Sequence, residues 1–231
     1  MIKPAIIIVE DFSVLIQRLL NLNFTMEELK HTPFPKRGLY VITRDPIDGR
    51  ASLLEEVDAA LKGGAGVVQY RAKEGRVSRE EACAILCLCR KARVPLIIND
   101  DEDLALAIGA DGVHLGREDR DLLEVRARMG PSAIIGVSCY DDLERAVRAS
   151  QEGASYVAFG RFFPSLTKPN APCARLQTLD QAQLMIRVPI VAIGGITVEN
   201  GAMLITAGAD LLAVVEGVFG DKDPEHATRL F

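Results

Sequence analysis

The sequence predicts an α/β fold of the (β/α)8 TIM-barrel class with an N-terminal helical extension, and three observations carry that prediction. First, a helix-ending glycine followed by an apolar run recurs four times: Gly64-Ala65-Gly66-Val67-Val68, Gly109-Ala110-Asp111-Gly112-Val113, Gly153-Ala154-Ser155-Tyr156-Val157 and Gly208-Ala209-Asp210-Leu211-Leu212. Glycine takes the left-handed conformation that ends a helix, and the apolar run starts the next strand. Second, Arg93-Val94-Pro95-Leu96-Ile97-Ile98 is echoed by Arg187-Val188-Pro189-Ile190-Val191-Ala192, each proline closing a helix and opening a buried strand. Third, 231 residues, 48% of them hydrophobic, approach the size that closes one such barrel, ~250 residues.

Taken in order, residues 1–37 lie outside the repeat. Residues 11–20 have helical amphipathicity, and Thr32-Pro33-Phe34-Pro35 punctuates the chain before the first strand. This accessory segment either caps the barrel floor or serves dimerisation, and the sequence leaves both open. The barrel domain is expected over 38–231. Its strands are read at 39–43, 67–71, 96–100, 112–115, 134–138, 156–160, 190–194 and 211–215, with helices between them, among them 52–61, 79–90, 122–129, 142–152 and 199–206. Near-continuous apolar strands mean a parallel sheet covered by helices. An open doubly wound sheet has the same local pattern, but eight regular units without a Gly-x-Gly-x-x-Gly turn favour closure. The longest interruption, 161 to about 175, holds Pro164, Pro169 and Pro172, and loops of that length are usually functional.

Composition excludes several classes of function. A net charge of −5 and a pI near 5.3 provide no basic field for nucleic acid or an anionic membrane, so any anion must be held by a local cluster. The apolar runs fall short of the ~20 residues that span a bilayer, and no secretory signal opens the chain, so a cytoplasmic protein is expected. The five cysteines are odd in number and scattered; Cys83, Cys87 and Cys89 read as packed thiols in a helix.

Polar groups at the C-terminal ends of barrel strands share one mouth. Gln69, Arg71 and Lys73 alternate along one extended stretch and so project to one side, unless the strand end simply frays into solvated charge. Asn99 and Asp100 end the third strand and Asp119 follows the fourth. Asp100 with Asp119 suits Mg²⁺, which takes one or two carboxylates plus phosphate oxygens, although Asp101 and Asp119 also suit helix caps. Ser138 ends the fifth strand, and the sixth strand's loop carries Ser165, Thr167 and Lys168, hydroxyls and a cation suited to phosphate. Gly194 and Gly195 end the seventh strand before a helix start, the usual barrel phosphate position. His114 reads first as a hydrogen-bonded interior histidine, and Cys139 as facing away from the mouth.

Together, Gln69-Tyr70-Arg71-Ala72-Lys73, Ile98-Asn99-Asp100, Gly112-Val113-His114-Leu115-Gly116-Arg117-Glu118-Asp119, Gly136-Val137-Ser138, Thr167-Lys168-Pro169 and Ala192-Ile193-Gly194-Gly195-Ile196 resemble the thiamine-phosphate synthase family over about residues 39 to 218. The resemblance implies condensation of 4-amino-2-methyl-5-hydroxymethylpyrimidine diphosphate with 4-methyl-5-hydroxyethylthiazole phosphate, releasing diphosphate and requiring Mg²⁺. It implies that Arg71, Lys73, Asn99 and Lys168 hold the diphosphate, Asp100 and Asp119 the metal, and Gln69 the pyrimidine. Ser138 would contact the diphosphate near the reacting centre, with Arg71, Ser138 and Lys168 as the catalytic set. Thr167, Gly194 and Gly195, with Ser165 and Val215 nearby, would take the thiazole phosphate. Ser165 stands where a threonine is common, and Cys139-Tyr140 replaces a more polar pair. Glu216 follows the eighth strand near the expected phosphate, where its charge would repel; either backbone amides bind there or affinity falls. The related thiazole tautomerases have no use for a diphosphate clamp, and a non-catalytic phosphate-sensing barrel has none for metal ligands.

Overall fold

The structure, a computed structural model, describes residues 31–44, 52–72, 76–117, 119–164 and 173–231. Residues 11–20 of the predicted extension, Lys73, Ser165, Thr167 and Lys168 lie outside the described residues.

Eight parallel strands close on themselves in sequence order: β1 (Gly38–Ile42), β2 (Val67–Tyr70), β3 (Leu96–Asn99), β4 (Gly112–Leu115), β5 (Ile134–Tyr140), β6 (Tyr156–Gly160), β7 (Ile190–Ile193) and β8 (Leu211–Val214), with β8 pairing β1. The helices between them are α1 (Leu53–Gly63), α2 (Arg79–Ala92), α3 (Glu102–Ile108), α4 (Leu122–Met129), α5 (Leu143–Gln151), α6 (Leu176–Met185) and α7 (Val198–Thr206). The short α8 (Glu216–Phe219) and α9 (Pro224–Leu230) follow β8. None of the helices among the described residues is long and apolar enough to cross a membrane.

The local chemistry matches the reading. Gly64, Gly109, Gly153 and Gly208 all have positive φ, and the carbonyls of Pro95 and Pro189 accept bonds from Val68 and Val157 of the preceding strands. Side chains of Ser52, Ser78, Asp101, Asp121, Asp142 and Asp223 accept backbone N–H groups at helix starts. Asp101 is therefore a cap, as expected. Asp119 is not, because Asp121 fills that role for α4. Predicted strands overrun the ladder by one residue at Thr43, Arg71, Asp100, Gly194 and Val215. At Asp100 the reason is conformational: the sequence places it on β3, whereas its φ of 63° turns it out of the strand.

The alternation of β-strand side chains separates two apolar layers. Leu39, Val41, Val68, Ile98, Val113, Val137, Val157, Ala192 and Leu212 face the helices. Tyr40, Ile42, Val67, Ile97, Ile134, Tyr156, Ala158, Val191, Leu211 and Ala213 fill the barrel interior. Each large side chain so buried contributes about 1.5–3 kcal/mol relative to exposure. Gly136 has a steric purpose in this layer, since a Cβ there would lie 2.0 Å from Tyr156 Cζ.

Residues 31–35 cover the floor, at the N-terminal side of the strands. The Thr32 amide donates to Asp111 Oδ1 at 2.7 Å, and the Phe34 ring stacks on Tyr156 with centroids 4.2 Å apart and planes 5° apart. Asp111, fully buried, also accepts from Arg90 Nη1 at 2.6 Å and from the Leu96 amide at 2.9 Å. The described part of the stretch before the barrel thus packs on its floor.

Candidate active site

At the opposite end, a cavity of about 380 Å³ opens between the C-terminal ends of the strands. Gln69, Arg71, Asn99, Asp100, Ser138, Gly194, Gly195, Val215 and Glu216 all line it. Nine of the fourteen site residues expected from sequence therefore face one space, and four lie outside the described residues. The fourteenth, Asp119, sits beside the mouth: its carboxylate accepts from the Gly116 amide, and Gly116 is part of the wall.

Backbone hydrogen bonds fix the rim. The Thr43 hydroxyl accepts from the Arg71 amide at 2.8 Å and donates to the Arg71 carbonyl at 3.0 Å, which sets where the Arg71 side chain departs. Arg145 donates to the carbonyls of Ser138 at 2.9 Å and Gly116 at 3.0 Å and so ties the ends of β4 and β5 together. Asn99 Nδ2 donates to Asp100 Oδ2 at 2.6 Å, orienting that carboxylate. Across the cavity, Asn200 holds the Gly195 carbonyl at 3.0 Å. The diglycine makes room for the loop after β6: a Cβ on Gly194 would meet Arg161 Cβ at 2.2 Å, and one on Gly195 the Pro164 carbonyl oxygen at 2.3 Å. Those glycines thus serve chain packing first, and the same packing brings Arg161 to the cavity wall.

Glu216 does not stand alone. Its carboxylate lies 3.5 Å from Arg44 Nη1, and Arg44 Nη2 donates to Glu56 Oε1 at 2.8 Å. A cation just beyond β1 therefore stands beside the carboxylate just beyond β8. Cys139 is buried behind β5, as its alternation implies, and burial pushes its thiol up to about 12.

Sequence reasoning missed Tyr40, Tyr156, Arg44 and Arg161 and read His114 first as a structural residue. Gln69 Nε2 donates to the Tyr40 hydroxyl at 2.8 Å, Tyr40 and Tyr156 hydroxyls are 2.8 Å apart, and His114 Nδ1 lies 2.9 Å from Tyr156 Oη. His114 Nε2 is 2.8 Å from Ser138 Oγ. Burial raises the pKa of both phenols well above the ordinary tyrosine value, so both keep their protons. The signal available in the sequence was that Tyr40, Gln69, His114, Ser138 and Tyr156 all occupy inward positions of their strands.

Among the described residues no group of three or more His, Cys, Asp or Glu side chains could hold a metal ion. A site of two carboxylates completed by phosphate oxygens does not require such a group, and the hard oxygen donors of Asp100 and Asp119 fit Mg²⁺ chemically.

A closed barrel whose polar mouth sets cationic and carboxylate side chains against a glycine turn defines an enzyme that works on phosphorylated molecules at its strand ends. The model of the family described as thiamine monophosphate synthase matches residues 39–218. A thiamine-phosphate synthase of Methylococcus capsulatus is 52% identical over 206 residues, covering 88% of this chain and 92% of the relative, and one of Nitrosococcus oceani is 49% identical over 84% and 91%. The solved thiamine phosphate pyrophosphorylase of Pyrococcus furiosus superposes with a TM-score of 0.75 at 34% identity, covering 84% of this chain and 93% of that one. The chain belongs to the thiamine monophosphate synthase family, and it is a transferase.

Proposed function

We propose that this cavity joins a pyrimidinylmethyl group to a thiazole nitrogen, with the residues named from sequence in the roles given there. The chain is a thiamine-phosphate synthase, condensing 4-amino-2-methyl-5-hydroxymethylpyrimidine diphosphate with 4-methyl-5-hydroxyethylthiazole phosphate to thiamine phosphate and diphosphate. The observation that carries the assignment of roles is that Gln69, Arg71, Asn99, Asp100 and Ser138 face the same cavity as Gly194 and Gly195. One pocket can therefore take both phosphorylated partners.

Gln69 orients the aminopyrimidine. Arg71, Lys73, Asn99 and Lys168 bind the diphosphate, and Ser138 donates to it beside the reacting carbon. Asp100 and Asp119 would hold Mg²⁺, which when bound supplies positive charge to the departing oxygens. The bond between the methylene carbon and the diphosphate oxygen breaks with its electron pair leaving on diphosphate, and the cations around that oxygen lower the barrier. The electron-rich aminopyrimidine carries the methylene cation. Thr167, Gly194 and Gly195, together with Ser165 and Val215, place the thiazole phosphate so that the ring nitrogen's lone pair forms the new carbon–nitrogen bond. No side chain acts as nucleophile, consistent with the inert Cys139. Residues 38–231 are taken as the catalytic domain and 1–37 as its accessory segment.

The test mixes purified protein with both substrates and follows diphosphate release with and without Mg²⁺. Release that needs both the metal and the thiazole partner is expected. Release without the thiazole partner, or none in the presence of all three, would overturn the assignment.

A further inference from the structure

The chain of hydrogen bonds across the barrel interior has a direction. Tyr40, Tyr156 and Gln69 are 1%, 0% and 3% exposed and His114 is 9% exposed, so a donor left without an acceptor there is costly. Gln69 Nε2 donates to Tyr40, which leaves the Tyr40 proton for Tyr156. Tyr156 then donates onward to His114 Nδ1, and His114 must carry its proton on Nε2 and donate it to Ser138 Oγ. With the Gln69 amide nitrogen placed on Tyr40, the reverse direction would make Tyr40 accept from both Gln69 and Tyr156. Its own proton would then have no acceptor, because these two are the hydrogen-bond partners of Tyr40 among the described residues.

We propose that Tyr156 and His114 are positioning residues for the condensation: the one-way chain from Gln69 through Tyr40 and Tyr156 fixes His114 as the Nε2–H tautomer, so that Ser138 accepts from the ring and turns its own proton toward the diphosphate. The same chain commits the Gln69 amide nitrogen to Tyr40 and presents its carbonyl oxygen to the pocket, where it can accept from an exocyclic amino group. Both ends of the relay thereby face the same substrate, one as acceptor and one as donor. Two neighbours hold Tyr156 in place, Phe34 stacked on its ring at 4.2 Å and the His114 ring at 5.6 Å with planes 20° apart. This inference rests on the diphosphate contact assigned to Ser138 above.

The chain has three histidines, which makes the tautomer directly observable. In ¹⁵N-histidine-labelled full-length protein at neutral pH, the signal that disappears in His114→Asn should show a pyridine-type Nδ1 and a protonated Nε2. An Nδ1–H tautomer or a doubly protonated ring would overturn the proposal. In turnover, Tyr156→Phe removes one hydroxyl and should lower kcat about tenfold while KM for the pyrimidine diphosphate changes by less than about twofold. In a Ser138→Ala background the same change should cost no more than about a further twofold, because the relay then has no hydroxyl to orient at its His114 end and the Gln69 amide keeps its bond to Tyr40. A full, additive loss in the double variant would overturn the relay while leaving the diphosphate contact standing. Wild-type turnover in Ser138→Ala would remove that contact and, with it, the relay's part in catalysis.

Discussion

Replacing Arg44 by methionine separates what a buried ion pair does for stability from what it does for the site. Arg44 is 8% exposed and Glu56 6% exposed, so the substitution leaves a carboxylate buried beside α1 with its guanidinium gone. Removing one partner of a buried pair costs about 3–5 kcal/mol. At about 2–4 °C per kcal/mol for a domain of this size, the melting temperature should fall by about 10 °C. Glu216 is half exposed, so its loss of a counter-charge is screened and smaller, about 1 kcal/mol or about fivefold in KM for the thiazole phosphate, shrinking with added salt. Thermal melts and steady-state kinetics on the same samples read both effects. Adding Glu216→Gln to Arg44→Met should restore KM without restoring the melt, and adding Glu56→Leu should restore the melt without restoring KM. A melt within about 2 °C of wild type for Arg44→Met, or a KM that ignores Glu216→Gln, would refute the reasoning.

Asp100→Asn and Lys168→Ala should each lose at least about 2 kcal/mol of transition-state stabilisation, about thirtyfold in kcat/KM, and near-wild-type turnover in both would remove the proposed mechanism. Burial pushes the Asp111 carboxyl up, but its contacts with His31 and Arg90 outweigh that and hold it below the usual carboxylate range. Its contribution to stability is therefore complete above the unfolded value of about 3.9 and fades as pH falls through the lower folded value. Asp111→Asn should be less stable at neutral pH and show a shallower loss below pH of about 4 than wild type, measured by denaturant titration at several pH values. Under mild alkylation the exposed Cys173 should be modified while Cys139 is spared, as mass spectrometry would report; modification of both at equal rates would contradict the buried, protonated thiol.

The barrel was legible because parallel strands buried on both faces write themselves as apolar runs, and because Gly64, Gly109, Gly153 and Gly208 mark helix ends wherever they occur. The strand-end polar groups followed, since position along a barrel strand fixes which mouth a side chain serves. What escaped depends on closure. The Arg44 pairing with Glu216 joins residues beyond the first and last strands, and the links Tyr40 to Tyr156 and His114 to Ser138 depend on which inward residues share a level across the barrel. Two helices of the barrel's outer ring, expected between their strands, were given no bounds for another reason. The seven-residue α3 has little room for a period to show, and α6 begins without a side-chain cap and leaves Leu184 77% and Met185 58% exposed, so its apolar residues do not mark a single buried stripe. Asp100 was misplaced because a left-handed aspartate leaves no local mark in the sequence.

The aromatic ring under Tyr156 comes from residue 34, upstream of the residues that the family model matches, and at the far end Phe219 and Thr228 are buried beyond its last matched position. The portion of chain that the family model matches is thus shorter than the portion these contacts involve. Trimming to residues 39–218 would let water rise into the polar seam from below and strip the α9 face from α1, so a minimal version of this enzyme should begin no later than His31 and keep its final helix.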